Sequence, residues 1–504
     1  MSEPRIGQEE LTAEARKLLG SISYGEMSST AYDTAWVARL PSPTDPDVPM
    51  YPAAYDWLLQ AQHADGSWGS DIPMPHDRVV STLAALITLA QSSYRRSESE
   101  LAYRRGIVYL NRERPNIRED PAETVGFELL LPEMTRQTQA LNISLPYDDW
   151  TFIEAVKVDK LQRIPPIAVY GGPTPLTHSL EYLGDRLLPA LATRCRFQDG
   201  SYGISPSATV FVHQKAPTSE TAEYIERVAR IDPTGGVPYV HPFEVFETAW
   251  VLHCLGPFVD GMPEANDLAE RLVQSWSPMG LAWTAESTVT DADDTSVALL
   301  VLTRQGRTMD TGIFELFETA DYFQTFVYER DPSVTTNAHI LSALRLYPST
   351  PERRRMIVKI VQYLRQAMVN GEHWQDKWHG SPYYATDEVV LALLGLADDL
   401  VRDAIQWLLV SQHENGAWGW GDGTVEETAW ATHTLVAAAE ADTGVRALAM
   451  DAIERGAAYL EDHFGEREHP AMWIGKSLYT PPNIVRAIMI GALWRRSKLV
   501  PDLP

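Results

Sequence analysis

An all-α fold built from two α/α-barrel (toroid) domains is what this sequence predicts, and three observations predict it: helical apolar periodicity, scarce alternating strands, and a turn motif recurring between helices. Apolar residues return every three or four positions in Leu83-Ala84-Ala85-Leu86-Ile87, Val389-Val390-Leu391-Ala392-Leu393 and Ala429-Trp430-Ala431-Thr432-His433-Thr434-Leu435. The turn motif appears as Gln62-His63-Ala64-Asp65-Gly66-Ser67-Trp68-Gly69, as Phe197-Gln198-Asp199-Gly200-Ser201-Tyr202-Gly203, and as Gln412-His413-Glu414-Asn415-Gly416-Ala417-Trp418-Gly419. In each copy Asp or Asn plus Gly supplies a positive-φ turn, Gln caps backbone groups and the aromatic ring covers the turn. A second recurrence opens helices: Tyr32-Asp33-Thr34-Ala35-Trp36, Phe246-Glu247-Thr248-Ala249-Trp250 and Glu427-Thr428-Ala429-Trp430. There an acid and a Thr satisfy free N–H groups and complement the helix dipole. Helix pairs joined in this way cover one another's apolar faces, as in a toroid. At 504 residues the chain exceeds one ordinary core, so two toroids are expected.

Composition narrows the function. A net charge of −26 argues against nucleic acid or an anionic membrane as partner. No stretch approaches the roughly 18 apolar residues of a spanning helix, and the first residues lack a secretory or transit pattern, so a cytoplasmic protein is expected. Cys195 and Cys254 have no metal-ligand spacing and read as buried free thiols. The 15 tryptophans suit either a repeat or an apolar ligand.

Asp291-Ala292-Asp293-Asp294 sits between Trp283 and the apolar run Val297-Ala298-Leu299-Leu300. Carboxylates crowded in a dry place cannot all ionise, so a neutral carboxylic acid can persist near pH 7 and protonate a base as weak as an alkene. The same tetrapeptide also suits the N-cap of a solvated helix.

The repeats and the three aspartates stand together with further segments: Ser29-Thr30-Ala31-Tyr32-Asp33-Thr34-Ala35-Trp36, Val125-Gly126-Phe127-Glu128, Ser205-Pro206-Ser207-Ala208-Thr209, Gly235-Gly236-Val237-Pro238, Thr336-Asn337-Ala338-His339, Asp376-Lys377-Trp378 and Trp473-Ile474-Gly475-Lys476-Ser477-Leu478-Tyr479. As an ordered set running nearly end to end, they resemble the class II terpene cyclases, specifically the bacterial class II diterpene cyclases that make copalyl-type diphosphates. The resemblance implies two toroids, β and γ: residues 1–45 as the N-terminal segment of β, 46–245 as the inserted γ domain, and 246–504 as the β domain carrying the Asp motif. It implies no class I ionisation either, since Asp398-Asp399 is followed by Asp403 at the wrong spacing for Asp-Asp-x-x-Asp.

By the same resemblance Asp293 is the general acid, Asp291 and Asp294 orient it, and Asn337 hydrogen-bonds it, although an Asn there also suits a helix cap. A cationic cascade needs a dry aromatic cavity; Trp283, Trp374, Tyr383, Tyr384 and Trp420 are the expected wall. Lys160 and Lys377 are expected on the diphosphate, and Glu128 with Glu119, Asp120 and Glu123 on Mg²⁺, a hard cation that takes carboxylate oxygens. Taken without the family, these lysines read as solvated and the acidic stretch as a loop. His178 matches a His that, with an Asn, holds a terminating water in plant enzymes; Tyr239 stands in place of that Asn.

These readings imply a Mg²⁺-dependent enzyme cyclising geranylgeranyl diphosphate to a bicyclic product such as ent-copalyl diphosphate, upstream of a separate class I synthase. The alternatives are a rearranged halimadienyl or clerodane-type product, a drimane from farnesyl diphosphate, and a non-catalytic toroid scaffold.

Overall fold

The structure is a computed structural model describing residues 6–113, 116–118, 123–163, 170–327, 329 and 331–499. Two closed rings of inner helices organise it. In the larger, Glu244–Leu255, Ala292–Arg304, Val334–Arg345, Pro382–Leu393, Val425–Ala441 and Pro482–Leu499 pack each on the next and the last on the first. Outer helices Pro263–Ser275, Pro351–Ala367, Asp398–Ser411, Thr443–Asp462 and Gln8–Ser21 cover them. In the smaller, Ala31–Ala38, Pro75–Gln91, Phe127–Ala140, the 3-10 segment Pro175–Arg186 and Pro206–Lys215 close a ring in the same way. These are the two toroids that the repeats predict.

Inner and outer helices differ as burial demands. Val425–Ala441 is buried almost along its whole length, whereas Ser219–Val228 buries only Thr221, Tyr224, Ile225 and Val228 and turns its charges to solvent. Each large side chain taken fully out of water contributes about 1.5–3 kcal/mol.

The repeated turns do the stapling. Gln62 Nε2 donates to the Gly66 and Ala102 carbonyls at 2.9 and 2.8 Å, and Gln412 Nε2 donates to those of Gly416 and Ala452 at 2.8 and 2.9 Å. Gly66, Gly200 and Gly416 take φ of 95°, 93° and 90°, a left-handed turn that favours glycine.

The chain passes from the larger core to the smaller between Met27 and Ala31 and returns between Val237 and Tyr239. The crossover therefore lies before the Pro-rich 41–46, because Ala31–Ala38 closes the smaller ring. Between the rings runs a hairpin of two short strands, Trp473–Ile474 and Leu478–Tyr479, tied to the smaller ring by Val125 N–H on the Gly475 carbonyl (2.7 Å) and Leu478 N–H on Asp77 (2.9 Å).

Candidate active site

A cavity of about 830 Å³ opens between the two rings, within the roughly 300–1,000 Å³ usual for small-molecule sites. Its lining comes from both: Glu128, Lys160 and His178 from the smaller, Trp250, Asp293 and Tyr384 from the larger.

The acidic tetrapeptide forms the start of Ala292–Arg304. Asp291 is its N-cap and accepts the Asp294 N–H at 2.7 Å. It is a cap in a buried place: Asp291, Asp293 and Asp294 are 2%, 8% and 4% exposed, and all three border the cavity. Burial pushes the Asp291 carboxyl up to about 7, with the charge of Asp293 adding to it; burial and then the Asp291 charge push Asp294 well above the ordinary range. Asp294 thus keeps a proton and shares it with Asp291, leaving Asp293 as the cluster member engaged elsewhere.

That engagement corrects one expectation. Asn337 does not reach Asp293: its amide donates to the Phe323 and Ser333 carbonyls (2.9 and 2.8 Å) and accepts the Phe323 N–H (2.9 Å), pinning the preceding segment. The partner of Asp293 is His339, two residues on, with Nδ1 2.7 Å from Oδ1. Burial pulls this imidazole down, but the charges of Asp293 and Glu388 override it and push it up to about 10. One sequence signal marks it: a His inside Ala338-His339-Ile340-Leu341, in a buried helix, needs a carboxylate partner.

The walls are aromatic, though with a partly different cast. Trp283 and Tyr384 line the cavity as expected; Phe243, Phe246, Trp250, Trp473 and Tyr479, which sequence reasoning missed, join them. Trp374, Tyr383 and Trp420 do not. Trp374 is a staple whose indole N–H donates to the Leu364 carbonyl at 2.7 Å, as Trp418 does to Leu408 at 2.8 Å. Tyr383 stacks on Trp407 at 4.8 Å, and Trp420 sits 55% exposed on a turn.

Three cations also line the cavity. Lys160 pairs with Glu128 at 2.5 Å, and Arg163 lines the same region, paired with Asp159 at 2.7 Å. Lys377 also borders the cavity, bonded to Glu329 and the Asp331 carbonyl. Burial raises the Glu128 carboxyl, but Lys160 outweighs this and holds it below its usual range. Among the described residues Glu128 Oε2 is buried with no hydrogen-bond partner, and Glu123 lies beside Glu128 on the lining, a donor set that fits a hard cation. Glu119 and Asp120 lie outside the described residues.

Across the cavity, His178 Nε2 is 2.7 Å from the Tyr239 hydroxyl and Nδ1 is 3.2 Å from the Gly203 carbonyl. A carbonyl only accepts, so Nδ1 carries the hydrogen. Burial, then the nearby Lys476 ammonium, holds the ring well below its ordinary pKa; it is neutral, and Nε2 accepts the Tyr239 O–H.

Residues 322–492 match the family model described as the squalene-hopene cyclase C-terminal domain. The chain is 33% identical over 507 residues to a type B diterpene cyclase of Mycobacterium tuberculosis, covering 95% of this chain and 98% of that protein. It is 30% identical over 382 residues to a bifunctional levopimaradiene synthase of Pinus taeda, covering 73% of this chain but only 44% of that longer protein. Among solved structures, ent-copalyl diphosphate synthase from Streptomyces platensis superposes with a TM-score of 0.79 at 26% identity, covering 97% and 99% of the two chains. The Arabidopsis thaliana ent-copalyl diphosphate synthase, bound to an aza-geranylgeranyl thiolodiphosphate, gives 0.70 at 25%, covering 96% of this chain and 63% of that one. Sequence kinship along nearly the whole length, on the same pair of toroids, makes this chain a member of the class II diterpene cyclases, enzymes that close rings within their own substrate.

Proposed function

We propose that the enzyme cyclises geranylgeranyl diphosphate by protonation to a bicyclic copalyl-type diphosphate, with the diphosphate retained. The observation that carries this is the placement of Asp293 in an aromatic cavity that Lys160, Arg163 and Lys377 also line. Asp293 gives its proton to the terminal alkene; the tertiary cation draws in the neighbouring double bonds, and the π faces of Trp250, Trp283, Tyr384 and Trp473 stabilise the charge without trapping it. Lys160, Arg163 and Lys377 hold the diphosphate. Glu128 and Glu123 would hold Mg²⁺, which supplies further positive charge against it when bound.

For the ending, the 2.7 Å His178–Tyr239 contact supports direct removal of a proton. A proton leaving the last cation goes to the Tyr239 oxygen as Tyr239 passes its own to His178 Nε2, so charge and protons balance. The similarity to two ent-copalyl diphosphate synthases favours that product. Tyr239 in place of an Asn favours, as the second reading, a cation that rearranges to a halimadienyl or clerodane-type skeleton before deprotonation. The test is incubation with geranylgeranyl diphosphate and Mg²⁺, dephosphorylation and gas chromatography. Bicyclic alcohol from the native enzyme and a loss of about 10⁴-fold in Asp293→Asn, the upper range for general acid catalysis, are expected. Turnover of farnesyl diphosphate alone, or an active Asp293→Asn, overturns the proposal.

A further inference from the structure

Behind the acid stand three side chains that the cyclisation chemistry leaves without a role. His339, Glu388 and His253 come from three inner helices, Val334–Arg345, Pro382–Leu393 and Glu244–Leu255, and none borders the cavity. His339 Nδ1 faces Asp293 at 2.7 Å, while its Nε2 makes an ion-pair contact with Glu388 Oε2 at 3.2 Å, off the line of a straight hydrogen bond. His253 Nε2 stands 3.2 and 3.1 Å from the two Glu388 oxygens. The His339 and Glu388 side chains are 1% and 3% exposed.

We propose that Glu388, steadied by His253, is a positioning residue for the acid: it holds His339 as an imidazolium, which leaves the carboxyl proton of Asp293 free for the alkene. The inference rests on the assignment of Asp293 as that acid.

Proton counting carries the argument. A neutral His339 with its hydrogen on Nε2 would accept the Asp293 proton at Nδ1, and the acid would be spent on its neighbour. A doubly protonated His339 instead donates Nδ1–H to Asp293 Oδ1, so the remaining O–H of Asp293 is available to substrate. Only a carboxylate at Nε2 makes that buried imidazolium tolerable. His253 supports Glu388 from the other side: a carboxylate only accepts, so His253 Nε2–H donates to it, while His253 Nδ1 has no hydrogen-bond partner among the described residues. Burial raises Glu388, yet the two imidazoles outweigh it and hold the carboxyl well below its usual range.

The remaining titratable groups nearby are otherwise engaged. Asp291 and Asp294 bond each other on the acid's own helix, and Asp387 pairs with His433 at 3.0 Å. The Tyr384 hydroxyl accepts from Trp250, and burial first, then Glu388 and Asp387, pushes the Cys254 thiol up. Among the described residues His339 alone bridges Asp293 and Glu388.

The experiment is the pH dependence of kcat and KM for the native enzyme and for Glu388→Gln, Glu388→Asp, His253→Gln and Asp293→Asn, with melting curves for each. Without the Glu388 charge His339 deprotonates at lower pH, and activity is lost as pH rises through that value. Glu388→Gln should move the alkaline limb of kcat down by at least about one unit, a tenfold loss on that limb, with KM unchanged and recovery towards pH 6. Glu388→Asp should restore much of it, and His253→Gln should shift the limb the same way by less; these two carry the test should Glu388→Gln not fold. A uniform loss at every pH in a destabilised protein would mean a packing role and overturn the proposal. The ligand atoms of the three residues also lie within 4.8 Å of one another. Activity abolished by a transition-metal chelator and restored by Zn²⁺ would overturn it equally. An active Asp293→Asn refutes the acid assignment itself, whereas an inactive one beside an unmoved Glu388→Gln profile refutes this inference alone.

Discussion

Replacing Gly475 by alanine should separate the ending of the reaction from its beginning. Gly475 lies in the hairpin between the rings, where an added Cβ would stand 2.1 Å from Tyr239 Cζ and 2.5 Å from its hydroxyl oxygen. Carbon atoms pack at about 3.5 Å, so the ring must give way by more than about 1 Å. Tyr479 stacks on one face of Tyr239 at 4.6 Å, and the movement falls on the 2.7 Å bond to His178. Losing that bond costs about 1 kcal/mol and the overpacking about 1–3 kcal/mol, so the protein should be less stable by roughly 2–4 kcal/mol. Asp293 and His339 belong to other helices and keep their contact, so substrate should still be consumed within about threefold of the native rate, well short of the losses that follow removal of a general acid. The products should change, with less of the native alcohol and more rearranged or water-captured skeletons. Gas chromatography of dephosphorylated products, beside a substrate-depletion assay and a melting curve, reads all three. An unchanged product in a destabilised protein, or lost consumption with the native product ratio, would refute the reasoning.

Two further expectations concern buried charge. Lys476 is 0% exposed and donates to the His178 carbonyl, Glu181 and Ser205 at 2.8, 2.7 and 2.7 Å and to Ser207. Lys476→Met strands the buried Glu181 and Asp33 and should cost about 3–5 kcal/mol in denaturant unfolding; a loss under about 1 kcal/mol would show the cluster to be rearranged or hydrated. Glu247, 1% exposed, has its carboxyl pushed by burial to about 7 from an ordinary 4.5. Its contribution is fully present below pH 4.5 and is lost as pH rises through about 7, so Glu247→Gln should gain on the native protein by up to about 3 kcal/mol at pH 8 and not at pH 5. Equal melting differences at both pH values would exclude it.

The fold was legible because its signals are local. A Gln, a positive-φ Gly and an aromatic residue within eight positions state a turn wherever it sits, and repetition states the architecture. Asp293 and His178 were legible as residue types in segments of known kind. The wall was not, since Trp374 and Trp283 look alike in sequence, and only closure of the ring decides which indole staples a helix end and which faces the cavity. Nor was His339, whose partner comes from Ala292–Arg304, more than thirty residues earlier. The pairings of His253 with Glu388 and of His433 with Asp387 follow the same rule, a histidine answered by a carboxylate on another inner helix.

The acidic tetrapeptide carries both of its readings at once, and the repeat explains why. Five inner helices begin on one frame: Thr30, Ser205, Asp291, Ser333 and Thr424 each accept the N–H three residues ahead. Four residues beyond the cap, a second side chain pins the preceding segment. Thr209 accepts the Tyr202 N–H, Thr295 that of Leu281, Asn337 that of Phe323 and Thr428 that of Trp418. Asn337 is thereby a frame residue, which is why it cannot also serve the acid. Within Asp291-Ala292-Asp293-Asp294-Thr295 the cap and the pin are Asp291 and Thr295, and Asp294 shares its proton with the cap. Asp293 occupies the position two beyond the cap, filled by Tyr32, Ser207, Thr335 and Glu426 in the other four of these helices, which the frame leaves unconstrained. A carboxyl at that position keeps the helix start intact and faces the space between the rings. Cap and pin are made by Asp291 and Thr295, so an acid at Asp293 costs the fold no contact of the frame.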